Sequence, residues 1–383
     1  MLLTGSGRLA PAGITPWAIR VRDGRIAWIG APADAPDDDD RIDLGTALVT
    51  PGLIDSHTHP VFAGDRSDEA AARLAGSRYT DGGILRTVRA TRDADDMTLE
   101  ARVEARLRAA LAAGTTTVEC KSGYGLSLAE ELRHLRIIGR VADRLPLRVV
   151  RTFLGAHAVP PEAASLDAYA RHVAADMIPA VAAERLADFV DVFADAGFFD
   201  LEVTELIALA AAAAGLGLRL HADQLERTGA AELGVRLGAA SVDHLEQLDA
   251  AGVAALAASS TVATVLPAPA LVLRDHLPPA RALLDAGATV ALASDANAGT
   301  YAGFGTMPLI IGLGATLLGM TVTEALAAAT TGAARSLRRS DMGGLTVGMA
   351  ADLVAWDAEH EGAFALKLGA IRPLRTWIGG VEV

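Results

Sequence analysis

From Leu53 onward the chain repeats one pattern: a short, nearly continuous apolar segment followed by an alanine-rich stretch of helical length. Eight such segments occupy 53–59, 116–121, 147–154, 189–194, 218–222, 241–245, 261–266 and 289–294. The intervening stretches include 99–113, 128–142, 201–214 and 279–286. Gly114, Gly215 and Gly287 follow three of them, and glycine past a helix end accepts left-handed dihedrals cheaply. Strands apolar on both faces, alternating with helices, mean a parallel sheet covered by those helices. Eight repeats favour closure into a TIM-like (β/α)8 barrel over an open sheet. The expected fold class is therefore α/β.

The flanking segments read differently. Ala18-Ile19-Arg20-Val21-Arg22 and Arg25-Ile26-Ala27-Trp28-Ile29-Gly30 are separated by Asp23-Gly24, a strong hairpin signal. Four consecutive acids, 37–40, repel one another and read as a solvated loop without a metal-binding spacing. After the eighth strand, Thr321 and Glu324 form a capping box for a helix to about Leu337. Strand-like text resumes at Ala351-Asp352-Leu353-Val354-Ala355-Trp356 and at Thr376-Trp377-Ile378. Neither end has enough apolar material for its own core. The expected division is 1–50 and 343–383 together in a small β-sandwich domain, with 51–342 as the barrel.

Composition narrows the function classes. With 47 acidic against 34 basic residues the net charge is −13, which disfavours nucleic acid or an anionic membrane as partner. Cys120 is the only cysteine, so no intrachain disulfide is available. Residues 1–11 lack the long apolar core of a signal peptide. The uncharged stretch 251–273 is long enough to span a bilayer, but Pro267 and Pro269 interrupt it. It reads as a buried helix, a buried strand and a loop. A soluble, cytoplasmic protein is expected.

Placed on this strand map, the polar anomalies converge. His57 and His59 end the first strand, two residues apart and so on one face. His157 follows the third strand, His221 ends the fifth, His244 lies in the sixth and Asp295 ends the eighth. A lone histidine at a strand end is more often a satisfied packing residue. Five of the nine histidines at equivalent ends are better explained by a site on the rim where barrel enzymes build their chemistry. Imidazoles with one carboxylate suit zinc or iron, and the pattern does not choose between them. Lys121 also ends a strand; a carboxylated lysine bridging two metals is the sharper reading and a structural role before Ser122-Gly123-Tyr124-Gly125 the favoured one. Asp191 and Asp195 have no evident partner, and no glycine pattern marks a dinucleotide site.

These residues also carry a resemblance over nearly the whole chain. Asp55-Ser56-His57-Thr58-His59-Pro60 by itself is similar to amidohydrolases in general. Ala63-Gly64-Asp65-Arg66, Lys121-Ser122-Gly123-Tyr124-Gly125, Gly155-Ala156-His157 and Asp243-His244-Leu245-Glu246 resemble the imidazolonepropionase family within that superfamily. The resemblance implies a distorted barrel with a terminal β-sandwich, one Zn2+ or Fe3+ per subunit and a homodimer. It implies hydrolysis of 4-imidazolone-5-propanoate to N-formimidoyl-L-glutamate, the third step of L-histidine degradation. Carried over by position, the metal ligands are His57, His59, His221 and Asp295. The catalytic residues are Asp295 as proton acceptor, His244 as oxyanion stabiliser, and Gln224. Substrate contacts fall to Arg66, Tyr79, Tyr124, His157, Asn297, Gly299 and Thr300, with Arg66 and Tyr79 on the propionate carboxylate. Gln224 stands where some members have glutamate; a neutral amide cannot shuttle a proton, so orientation is its expected task. The loop from Tyr79 to Gly83 is a few residues shorter than the family's. A nucleobase or triazine deaminase would use the same metal set but wants a carboxylic acid at position 224. A non-catalytic barrel would not need Arg66 and His244.

Overall fold

The computed structural model describes residues 1–38, 40–76 and 82–383. Five strands precede the barrel: β1 (Leu2–Gly5), β2 (Trp17–Arg22), β3 (Arg25–Gly30), β4 (Arg41–Asp43) and β5 (Leu48–Pro51). The β2–β3 turn has positive φ at both central residues, 50° at Asp23 and 74° at Gly24, as a two-residue hairpin loop requires. The barrel strands are β6 (Leu53–Asp55), β7 (Thr115–Lys121), β8 (Arg148–Ala156), β9 (Phe189–Ala194), β10 (Gly217–Ala222), β11 (Ser241–His244), β12 (Val262–Val265) and β13 (Val290–Leu292). Three more follow near the C-terminus: β14 (Leu353–Trp356), β15 (Pro373–Ile378) and β16 (Val381–Glu382).

The eight barrel strands run parallel in chain order from β6 to β13. Closure is made just past the strand ends, where Thr58 bridges Ala296. There the His59 amide donates to the Ala296 carbonyl at 2.9 Å and the Asp295 amide to His57 at 3.1 Å. The closing contacts therefore involve the segments that carry the polar residues. Every residue of β7, β9 and β11 is buried, because helices cover the outside and side chains fill the interior.

Two four-stranded sheets complete the fold, in orders β3-β2-β1-β4 and β16-β15-β14-β5. The second pairs Leu353 with Pro51 and Leu353 with Trp377, so it joins the two ends of the chain. Leu3, Trp17, Ile19, Val49, Leu353 and Trp377 share one apolar cluster between the sheets. This is the small β layer from both termini that their shortage of apolar residues implies.

Helix ends follow their side chains. Ser127 caps Leu128–Ala142, Asp200 caps Leu201–Ala213, and Thr321 with Glu324 forms the reciprocal capping box. Two stretches depart from expectation. The segment after β12 is a helix, Pro267–Leu273, where a loop is expected. Its prolines lie in the first turn, where amides have no intrahelical acceptor to lose. The expected helix to Leu337 widens into a π-turn at Ala328–Gly332. There a Cβ on Gly332 would lie 2.1 Å from the Val290 carbonyl oxygen, so the helix backbone itself packs on β13. Among the described residues no helix is long and apolar enough to cross a membrane.

Candidate metal centre

His57 and His59 lie just beyond β6, His157 just beyond β8, His221 in the last turn of pleat of β10, His244 at the end of β11 and Asp295 beyond β13. All occupy the C-terminal rim. His57 Nε2 is 3.3 Å from His59 Nε2 and 3.6 Å from Asp295 Oδ1, and His59 Nε2 is 3.4 Å from the same oxygen. His57, His59 and Asp295 can present one ligand atom each within 4.8 Å of one another, and so can His57, His221 and His244. The two sets share His57.

The donor chemistry fits a metal ion. The other ring nitrogens of two histidines are already engaged: His57 Nδ1 meets Asp243 Oδ2 at 2.7 Å, and His221 Nδ1 meets Asp191 Oδ1 at 3.0 Å. An ionised carboxylate only accepts, so each Nδ1 carries the proton and each Nε2 keeps its lone pair. His221 Nε2 is buried without a hydrogen-bond partner, which a bound cation would satisfy. Burial and the nearby Lys121 charge hold His57 well below the usual histidine range; burial also lowers His59, against the pull of Asp295. Neutral imidazoles are what a metal requires. Burial opposes the charged form of Asp295, yet the His59 contact and the His244 charge keep its pKa below the usual carboxylate range.

His244 differs. Burial alone would lower its pKa, but Glu246, then Asp295 and Asp243, push it up to about 9. Its Nδ1 lies 3.4 Å from Glu246 Oε1 and its Nε2 4.0 Å from Asp295 Oδ2. A protonated ring offers hydrogens where a ligand offers a lone pair. The backbone there is strained: φ is 84° at His244, 73° at Leu245 and 48° at Asp295. Such non-glycine conformations cost roughly 1–3 kcal/mol each and concentrate at functional sites.

One cavity opens above this group. Arg66, Tyr124, His157, Gln224, His244, Asp295, Asn297 and Thr300 line it together with His59 and His221. Gly299 adjoins it through Arg66: a Cβ at Gly299 would meet Arg66 Nη1 at 2.1 Å, and one at Gly83 would meet Nη2 at 1.9 Å. The guanidinium thus occupies a slot that two glycines leave open. Glu69 braces it, accepting from Nε at 2.7 Å and Nη2 at 2.6 Å. His157 Nδ1 is tied to the Gly123 carbonyl at 2.8 Å, and its ring stacks on His59. The Gln224 amide, with those of Leu225 and Glu226, is gathered by the Asp195 carboxylate. The Asn297 amide group donates to Asp295 O and Thr300 Oγ1, and its Oδ1 accepts from the Gly299 and Thr300 amides. Tyr79 lies outside the described residues.

Sequence reasoning passes over two apolar neighbours and leaves the partners of the charged ones open. Ile84 and Phe193 supply apolar walls of the cavity. Asp191 and Asp243 orient histidines, and Lys121 meets Glu119 at 2.7 Å and Asp191 at 2.8 Å. Their signal is a pair of ionisable residues at alternate positions of a strand that carries no other charge, Glu119 and Lys121 in β7, Arg219 and His221 in β10.

A parallel barrel with histidines and a carboxylate at its C-terminal rim defines a metal-dependent hydrolase of the amidohydrolase class, and the Amidohydrolase family model matches residues 48–383. The chain is 48% identical to an imidazolonepropionase of Mycolicibacterium smegmatis over 92% of its own length and 87% of the relative's. It is 49% identical to one from Salinispora arenicola over 92% and 88%, and 45% identical to one from Rhizorhabdus wittichii over 94% and 92%. The chain belongs, within the amidohydrolases, to the imidazolonepropionase family. Among solved structures, a 5-methylcytosine deaminase of Klebsiella pneumoniae superposes with TM-score 0.81 at 18% identity, covering 100% of this chain and 98% of that one. An N-isopropylammelide isopropylaminohydrolase of Burkholderia multivorans gives 0.76 at 22%, covering 100% and 98%. Those likenesses concern the fold alone.

Proposed function

We propose that this chain hydrolyses the ring amide of 4-imidazolone-5-propanoate to N-formimidoyl-L-glutamate, the third step of L-histidine degradation. The observation that carries the reading is the meeting, in one cavity, of a histidine–aspartate metal set with a buried arginine. A ring amide plus a propionate calls for both. One zinc or iron ion per subunit would be held by His57, His59, His221 and Asp295. Bound there, the ion supplies a Lewis acid that polarises the ring carbonyl and makes water a better nucleophile at neutral pH.

The remaining work falls to side chains. Asp295, through Oδ2, accepts the proton from the attacking water as the new C–O bond forms. His244 Nε2 donates to the carbonyl oxygen as negative charge develops on it. The C–N bond then breaks, and the proton held at Asp295 is returned to the departing ring nitrogen. Gln224 orients the ring by hydrogen bonding; its amide takes no part in proton transfer. Arg66 binds the propionate, with Glu69 fixing the guanidinium and Tyr79 as a second donor. Tyr124 and His157 hold the ring, and Gly299 and Thr300 border the carboxylate end. Asn297, whose amide bonds all lie within the 295–300 loop, shapes that border. We further propose a cytoplasmic homodimer, with 51–342 as the catalytic barrel and 1–50 plus 343–383 as the sandwich domain. The test is loss of imidazolone ultraviolet absorbance with stoichiometric appearance of N-formimidoyl-L-glutamate. A purified, metal-loaded chain that leaves the absorbance unchanged refutes the assignment.

A further inference from the structure

Beneath the site the barrel interior holds charges that the proposed hydrolysis does not use. Glu119, Lys121, Asp191, Arg219 and Asp243 are all at most 1% exposed. Charges withdrawn so far from water are costly unless matched, and here the matching has a direction. Lys121 Nζ lies 2.8 Å from Asp191 Oδ2. The other oxygen of the same carboxylate, Oδ1, accepts from His221 Nδ1 at 3.0 Å, and His221 Nε2 is left buried and unpartnered at the site. The plan recurs beside it: Arg219 Nη2 donates to Asp243 Oδ2 at 2.9 Å, and that oxygen also accepts from His57 Nδ1 at 2.7 Å. Glu119 stands between the two cations, 2.7 Å from Lys121 Nζ and 3.9 Å from Arg219 Nε.

We propose that Lys121 is a positioning residue for the metal centre: it holds the Asp191 carboxylate in the orientation that fixes His221 as the Nδ1–H tautomer, with Nε2 presented to the ion. The inference rests on the metal site proposed above and adds a residue that is not a ligand. The same geometry disposes of Lys121 as a bridging carbamate. Its amine sits between Glu119 and Asp191, and carboxylation would place a third anion against those two. A carboxylate aligned on the distal nitrogen sets both the orientation and the basicity of a metal-binding imidazole, and disturbing such partners typically weakens metal binding by about 10–100-fold.

The test uses the full chain and zinc as the probe, with affinity read by competition against a chromophoric chelator. Lys121→Met should weaken zinc binding by about 10–100-fold, and Lys121→Arg should recover part of the loss. A purely structural lysine would lower the melting temperature of Lys121→Met and leave zinc affinity unchanged; that result overturns the proposal. Should Lys121→Met fail to fold, ring-nitrogen NMR of wild-type protein stripped of metal decides the matter. His221 protonated on Nδ1 and bare on Nε2 supports the proposal, whereas the opposite tautomer overturns it. A wild-type chain that takes up no zinc overturns both this inference and the metal site beneath it. Unchanged affinity in Lys121→Met with a zinc-binding wild type removes the inference alone.

Discussion

Replacing Arg66 with methionine keeps most of the apolar stem and removes the charged donors. Arg66 is 5% exposed, and its guanidinium is held between Gly83 and Gly299. Glu69, which braces it, also pairs with Arg73, and Arg73 in turn donates to the Gly299 carbonyl at 2.6 Å. Glu69 therefore keeps a cationic partner in Arg66→Met, and the fold should survive. What is lost is the match for the substrate carboxylate in a desolvated site. Leaving one member of a buried charged pair without its partner costs roughly 2–4 kcal/mol. At 1.36 kcal/mol per decade that is about a 30- to 900-fold fall in kcat/KM. Lysine should restore only part of it, because a point charge does not reproduce two parallel donor bonds. The assay is imidazolone absorbance with the propionate substrate and, in parallel, with an imidazolone lacking the carboxylate. The loss should be large on the first and small on the second. Equal losses on both would show that Arg66 acts on the ring or on the fold, and the clamp would have to be abandoned.

Two further outcomes follow from the geometry. His244→Ala should fold and keep its metal while turnover at saturating substrate falls by ~10²-fold or more, the scale of a lost oxyanion donor. Metal analysis of the variant is the check, since His244 also stands within ligand distance of His57 and His221, and loss of the ion would make it a ligand. His134 is buried in the helix Leu128–Ala142, where burial and then Arg133 and Arg92 depress its pKa to about 3. The unfolded chain, titrating near ~6.5, binds the extra proton between those values. The stability this neutral ring contributes is thus complete above about pH 6.5 and falls by roughly 1.4 kcal/mol per unit as pH drops toward 3. Denaturant unfolding of His134→Leu between pH 4 and 7 should show a shallower acid slope than wild type; an unchanged slope would show that other groups control it.

How much of this was legible in the sequence depends on the range of the interaction. The helix Leu128–Ala142 and the strand Phe189–Ala194 are written in local signals, a stretch of helical length rich in helix formers and a short apolar run that only Asp191 interrupts. The rim residues were legible because a polar residue at the end of an apolar strand is conspicuous, and eight parallel strands bring such ends together. Pro267 misled, since proline that ends one element here begins another. The pairing of β5 with β14 joins residues some three hundred positions apart; shortage of apolar residues pointed to a shared layer but not to its register. Least legible were the partners of charges. That Lys121 should meet Asp191, or Arg219 the Asp243 that holds His57, follows only once the barrel has placed four strands around one interior.

Ring opening should depend on one ion held by the rim residues. Metal-free protein should be titrated with zinc, and separately with iron, while imidazolone absorbance is followed. Turnover should be negligible without metal and rise linearly to saturate at one equivalent per chain. Undiminished turnover in the metal-free protein, or a rise that continues to two equivalents, would contradict it.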